Sequence, residues 1–157
     1  MKRGSTIFLR LTVVVMGFIA LGLCALVLPA VYNHWYPDTP YLRLPTLAIL
    51  SATVIPFFMA LYQTLKLLSY VDKNTAFSEL SVNALKKIKY CALVFGGLYA
   101  LFLPINYYIT QRVDAPGLMV IGLTMTFAPV VIAVFSAVLQ KLLRSAIDIK
   151  SENDLTV

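Results

Sequence analysis

The sequence predicts an all-α integral membrane protein, a four-helix bundle made of two parallel-repeat transmembrane hairpins. Three observations predict it: long runs without charge, an uneven distribution of Lys and Arg around those runs, and a likeness between the two halves of the chain. The runs cover residues 11–33, 44–65, 90–111 and 115–140, and each is 22 residues or longer. About 20 apolar residues cross the hydrocarbon core of a bilayer, and a charge near its centre costs roughly 2.5 to 3.5 kcal/mol. Across all 157 residues, 60% are hydrophobic and 13% charged, where an average soluble domain carries about 25% charged residues. A lipid-facing surface absorbs that apolar excess without a large soluble core, so one transmembrane domain over 1–157 is expected.

The first run follows Lys2, Arg3 and Arg10, so a cleaved signal peptide competes with a first span. No small-x-small cleavage site follows it, and bulky Leu23 precedes Cys24 where a lipoprotein signal needs a small residue. A retained span is the expectation. The second run carries Pro56 near its middle, with Thr53 one turn earlier, and leads into a loop over 66–89. The third and fourth are joined by a short turn. The fourth repeats the arrangement with Thr126 and Pro129, and a polar tail follows over 141–157.

Orientation follows from the basic residues, because cytoplasmic loops carry the excess of Lys and Arg. Lys2, Arg3 and Arg10 precede the first run; Lys66, Lys73, Lys86, Lys87 and Lys89 lie in the middle loop; Lys141, Arg144 and Lys150 lie in the tail. Only Arg43 and Arg112 fall in the other two loops. Both termini and the middle loop are therefore expected in the cytoplasm. Aromatic residues fit the same frame, with Tyr32, Trp35, Tyr36, Tyr41, Tyr107 and Tyr108 at the outer boundary and Tyr70 and Tyr90 at the inner one. The net charge of +6 is distributed as topology signals and not as an aromatic-studded basic face, which argues against direct nucleic-acid binding. Cys24 and Cys91 differ in depth by roughly 18 Å, too far for a disulfide.

The two hairpins resemble each other. LVLPAVYN from Leu26 matches LFLPINYY from Leu101, and TVIPFFMA from Thr53 matches TFAPVVIA from Thr126. Both copies start on the same side, so they are parallel repeats and not the inverted ones common in transporters. Each central proline removes a helical hydrogen bond and frees a carbonyl one turn back. Two accounts fit this. Pro56 and Pro129 mark a pair of hinges or a polar notch lined by Thr53 and Thr126, whose hydroxyls satisfy the freed backbone groups, or they shape packing, as proline often does in membrane helices.

No catalytic, cofactor or metal site is expected. His34 is the single histidine and sits beside Trp35 with Asp38 nearby, short of the three or four ligands a metal needs. No Gly-rich phosphate loop, nucleophile elbow or pair of buried carboxylates is present. A small transporter or channel-like protein is the competing class, but the spans offer only neutral polar groups such as Gln63, Asn106, Thr124, Ser136 and Gln140, where coupled carriers keep an ionisable one. Hydrogen bonding between helices is the favoured role for these groups.

The cytoplasmic segments carry the most information. Ser78 is placed to cap a helix on which Phe77, Leu80, Ala84 and Ile88 share a face, closed by Lys86, Lys87 and Lys89. Asp148, Glu152 and Asp154 in the tail are placed to pair with those lysines, though exposed pairs contribute roughly 0 to 1 kcal/mol. The candidate docking surface, for a partner or for anionic lipid, runs from Phe77 to Lys89, including Glu79 and Asn83, together with Ser145 to Val157. An interfacial lead-in helix whose lysines fix topology accounts for the middle segment equally well.

LKLLSYVDKNTAFSELSVNALKKIKY over 65–90, AIDIKSENDLTV over 146–157 and PFFMALYQ from Pro56 resemble the bacterial membrane proteins grouped as domain of unknown function 2975. The resemblance implies a small four-span protein of the bacterial cytoplasmic membrane, with no known reaction and no established site residues. It also implies a pairing with a small helix-turn-helix regulator of the Cro/repressor type, beside which members are often encoded. The functional expectation is a noncatalytic regulatory or sensor partner at the cytoplasmic face, in contact with the bilayer and with a small DNA-binding regulator or further copies of itself.

Overall fold

The computed structural model describes residues 3–35 and 40–155. Tyr36 and Asp38, assigned above to the outer boundary and loop, lie outside the described residues. Four long helices account for nearly all of the rest: α1 (Arg3–Ala30), α2 (Arg43–Asp72), α3 (Glu79–Val113) and α4 (Gly117–Leu155). A π-helical turn, Val31–Trp35, extends α1, and a short 3-10 turn, Pro40–Leu42, leads into α2. All four helices are long and apolar enough to cross a membrane.

The helices overrun the charge-free runs at the end of the bundle that carries both termini. α3 begins at Glu79 and α4 continues to Leu155, because Glu, Lys, Leu and Ala propagate a helix whether lipid or water surrounds it. The expected loop over 66–89 is therefore mostly helix, and only 73–78 lies outside one. α2 stops there on Asn74, whose φ is 58°. The Thr75 amide donates to Tyr70 O at 2.8 Å and the Asn74 amide to Val71 O at 3.2 Å. This is the Schellman ending, with Asn in the left-handed position that Gly usually takes. At the opposite end Asp114, with φ 54°, stops α3 in the same way, and the Ala115 amide donates to Thr110 O at 3.3 Å.

Among the described residues four Lys or Arg side chains lie over tyrosine rings, two at each end of the bundle. Arg43 stands 5.2 Å from the Tyr32 centroid and Arg112 5.3 Å from Tyr108, near the turns. Lys66 stands 4.8 Å from Tyr62 and Lys89 5.0 Å from Tyr90, toward the termini. On both α2 and α3 the two cations are roughly 35 Å apart at about 1.5 Å per residue. Allowing for side chains that reach outward, this brackets a hydrocarbon core of about 30 Å.

α3 is the central helix, packed against α2 on one side and most extensively against α4 on the other, while α1 lies chiefly along α2. On α4 the buried residues Gly122, Thr126, Pro129, Ala133 and Ser136 alternate in steps of four and three, the period of a left-handed helix seam. α2 buries Thr53, Pro56 and Gln63 at the matching positions. Burial also agrees in the other repeated pair of segments. Pro29 and Pro104 are both exposed, as are Tyr32 and Tyr107, whereas Val31 and Asn106 are both buried. The repeats therefore share burial at these positions, though not throughout, since Phe57 is half-buried and its counterpart Val130 exposed. They do not share neighbours, because α3 is enclosed on two sides and its counterpart α1 exposes large apolar residues such as Phe8, Phe18 and Leu26.

Small residues bring α3 and α4 together closely. A Cβ on Gly96 would stand 3.2 Å from Thr126 O and 3.6 Å from Pro129, the backbone approach that Gly and Ala permit in membrane seams. Nearer the turn, buried Asn106 donates from Nδ2 to Leu118 O at 3.0 Å. Hydrogen bonding between helices, expected for the polar residues of the spans, thus occurs at Asn106, whereas Thr124 donates within α4 to Val120 O at 2.9 Å.

Candidate functional site

The paired prolines do not interrupt their helices: α2 runs through Pro56 and α4 through Pro129, and both rings are buried. Proline frees the carbonyl four residues back, which is that of Ala52 or Met125. The neighbouring hydroxyls do not reach those carbonyls. Thr53 donates to Leu50 O at 2.7 Å and Thr126 to Gly122 O at 2.9 Å. This corrects the expectation that Thr53 and Thr126 satisfy the freed groups. A threonine hydroxyl on a helix reaches the carbonyl three or four residues before itself, and Ala52 and Met125 directly precede the two threonines.

The docking residues lie at the end that carries the termini. Ser78 is the N-cap of α3 by position, but its hydroxyl donates to Thr75 O at 2.6 Å and makes no cap bond. The buried face of the first turns is Ser81, Val82, Ala84 and Leu85, whereas Phe77 and Leu80 are exposed and Ile88 half-buried. This corrects the shared face expected for Phe77, Leu80, Ala84 and Ile88. The helix starts only after Phe77, and its register is set by the continuous run of α3 through the bundle. Asn83, Lys86 and Lys87 are exposed on it, and Lys89 turns toward the Tyr90 ring.

Among the described residues two ion pairs close this end. Arg10 Nη2 meets Asp72 Oδ2 at 2.8 Å, tying the start of α1 to the end of α2. Arg144 pairs with Glu79, tying α4 to the first turn of α3. Among the described residues no ion pair joins Asp148, Glu152 or Asp154 to Lys86, Lys87 or Lys89, which corrects the pairing expected for the tail. The three acids are exposed. The charges that meet have the opposite assignment, basic on α4 and acidic on α3, because the antiparallel helices bring the start of α3 beside Arg144.

Beyond that pair, Phe77 and the last turns of α4 form a groove of about 680 Å³. Ala146 and Ile149 give it an apolar floor, and Lys150, Glu152 and Asn153 stand along it. Phe77 is 58% and Ile149 67% exposed, so two large apolar side chains face outward together next to charges of both signs. Of the proposed docking residues, Phe77 and Glu152 thus share one concave surface. Lys86 and Lys87 stand on α3 outside its lining. Ile149 and Ala146 fall within the expected docking segment 145–157 without being named individually, although their spacing of three places them on one helix face. Among the described residues no three His, Cys, Asp or Glu side chains gather as metal ligands, and Cys24 and Cys91 are both free.

Four apolar helices with a polar, ion-paired end define a multi-pass membrane protein. The model of a family described as a protein of unknown function, DUF2975, matches residues 30–157, and the chain belongs to that family. It is similar to the uncharacterized membrane protein YoaS of Bacillus subtilis (strain 168), with 54% identity over 160 residues covering 100% of each chain. No solved structure matches. The family match begins at the last residue of α1, so it takes in α2, α3 and α4, the helices that bury one another most.

Proposed function

We propose that this protein is a noncatalytic regulatory or sensor partner of the bacterial cytoplasmic membrane that presents the end carrying its termini to the cytoplasm and binds a small helix-turn-helix regulator there. The observation that carries this reading is the groove at Phe77 and Ile149, an exposed apolar surface with Lys150 and Glu152 beside it. An amphipathic helix with apolar anchors one turn apart fits such a groove. A regulator held there is kept from DNA when one arrangement of the bundle binds it better than another, since only a difference in affinity transmits a signal.

Photo-crosslinking in living cells from Asn83 and Glu152 tests the reading, with captured proteins identified by mass spectrometry. Recovery of a small DNA-binding regulator is expected. Capture of only lipid and further copies of the chain would replace the reading with a self-associating structural role. The same assay tests the hinges. Replacing Pro56 and Pro129 together with Ala restores two backbone donors and should leave membrane abundance unchanged, while capture changes about fivefold or more, the low end of measured couplings between sites. Unchanged capture would assign the prolines to packing.

A further inference from the structure

Between α1 and α4 the bundle is open, and behind the opening lies a cavity of about 550 Å³ at the depth of the apolar spans. All four helices line it. Met16 and Leu28 mark its ends on α1, Leu50 and Phe57 stand on α2, Tyr99 on α3 and Met125 on α4. A space of that size does not stay empty in a close-packed bundle. Water is a poor occupant, because a buried water needs two to four polar partners. The lining offers three polar side chains, Cys24, Thr53 and Tyr99, and the Thr53 hydroxyl is already engaged with Leu50 O. Among the described residues no charged side chain lines the cavity, so an ionic group would enter it without compensation.

Its length along α1 suits a chain. From Met16 to Leu28 the cavity follows α1 for roughly 18 Å at about 1.5 Å per residue, slightly more than one leaflet's half of a hydrocarbon core of about 30 Å. Beyond Leu28, about one turn further along the chain, Tyr32 carries the Arg43 guanidinium 5.2 Å from its centroid. A cation thus stands above the end of an uncharged channel, at the level where lipid phosphates lie. We propose that the cavity holds one acyl chain of a phospholipid, which enters sideways between α1 and α4 with its phosphate toward Arg43.

The test uses the full chain reconstituted in phosphatidylglycerol nanodiscs, extracted into mild detergent and weighed by native mass spectrometry. Wild type should retain one phospholipid per chain. Ala20→Trp, which fills the cavity from α1, and Met125→Trp, which fills it from α4, should lose it while keeping wild-type helical circular dichroism. Val131→Trp, on the exposed face of α4 outside the cavity, should keep it. No retained lipid in wild type, unchanged retention in a folded cavity variant, or equal loss in Val131→Trp would each overturn the proposal, the last by showing annular lipid only. A wild-type dimer without lipid that Ala20→Trp dissociates would assign the cleft to a second copy and overturn it as well.

Discussion

Replacing Gly122 with Ala should loosen the α3–α4 seam by about 1 to 3 kcal/mol, the range for extra volume forced into a filled core. A Cβ at this position would stand 2.0 Å from Asn106 Nδ2 and 3.1 Å from its Cγ. The amide has little freedom to withdraw, since it is 6% exposed and its Nδ2 is held by Leu118 O at 3.0 Å. Displacing it also removes a hydrogen bond between helices, worth about 0.6 kcal/mol on average and at most about 1.7 in a membrane protein. Asn106→Ala alone should therefore have the smaller effect. The two changes together should cost less than their sum, because the truncated side chain leaves room for the new methyl group. Unfolding of wild type and the three variants in mixed micelles measures this cycle. Additive costs would show that positions 106 and 122 do not press on each other.

The number of helices was legible because hydropathy responds to the one property all four share, a stretch of about 20 residues without charge. Their ends were not. The stretch from Glu79 to Lys89 is charged and helical at once, and hydropathy reports the solvent around a helix and not the conformation of its backbone. The stop at Asn74 left only a weak mark, since Asn adopts the left-handed conformation less readily than Gly. Gly122, Thr126, Pro129, Ala133 and Ser136 could be read as a stripe of small residues from spacing alone. That Asn106 fills the gap over Gly122 depends on the relative height of two antiparallel helices, which the turn around Asp114 sets.

The candidate site shows the same division. Phe77 was singled out as part of an apolar helix face with Leu80, Ala84 and Ile88, but it lies before α3 and is exposed while Ala84 is buried. Its partner in the groove, Ile149, comes from the far end of the chain, and nothing local links the two. The sign of the closing ion pair went unread for a related reason. Net charge favours pairing the acidic tail with the basic middle segment, but contact is decided by register, which sets Arg144 beside Glu79 and leaves Asp148, Glu152 and Asp154 exposed.

A cytoplasmic regulator can reach the groove only if the end carrying the termini faces the cytoplasm, so the sidedness of the bundle decides the central claim. The distribution of Lys and Arg supports that side, and its effect is all or none, because a reporter is either exported or retained. The most direct measurement is the activity of alkaline phosphatase, which works only outside the cytoplasm, fused after Ala115, after Ser78 and after Val157. High activity at Ala115 with silence at Ser78 and Val157, all three fusions being present in the membrane at equal amounts, is the predicted result. Activity at Ser78 with silence at Ala115 would turn the groove to the outside and contradict it.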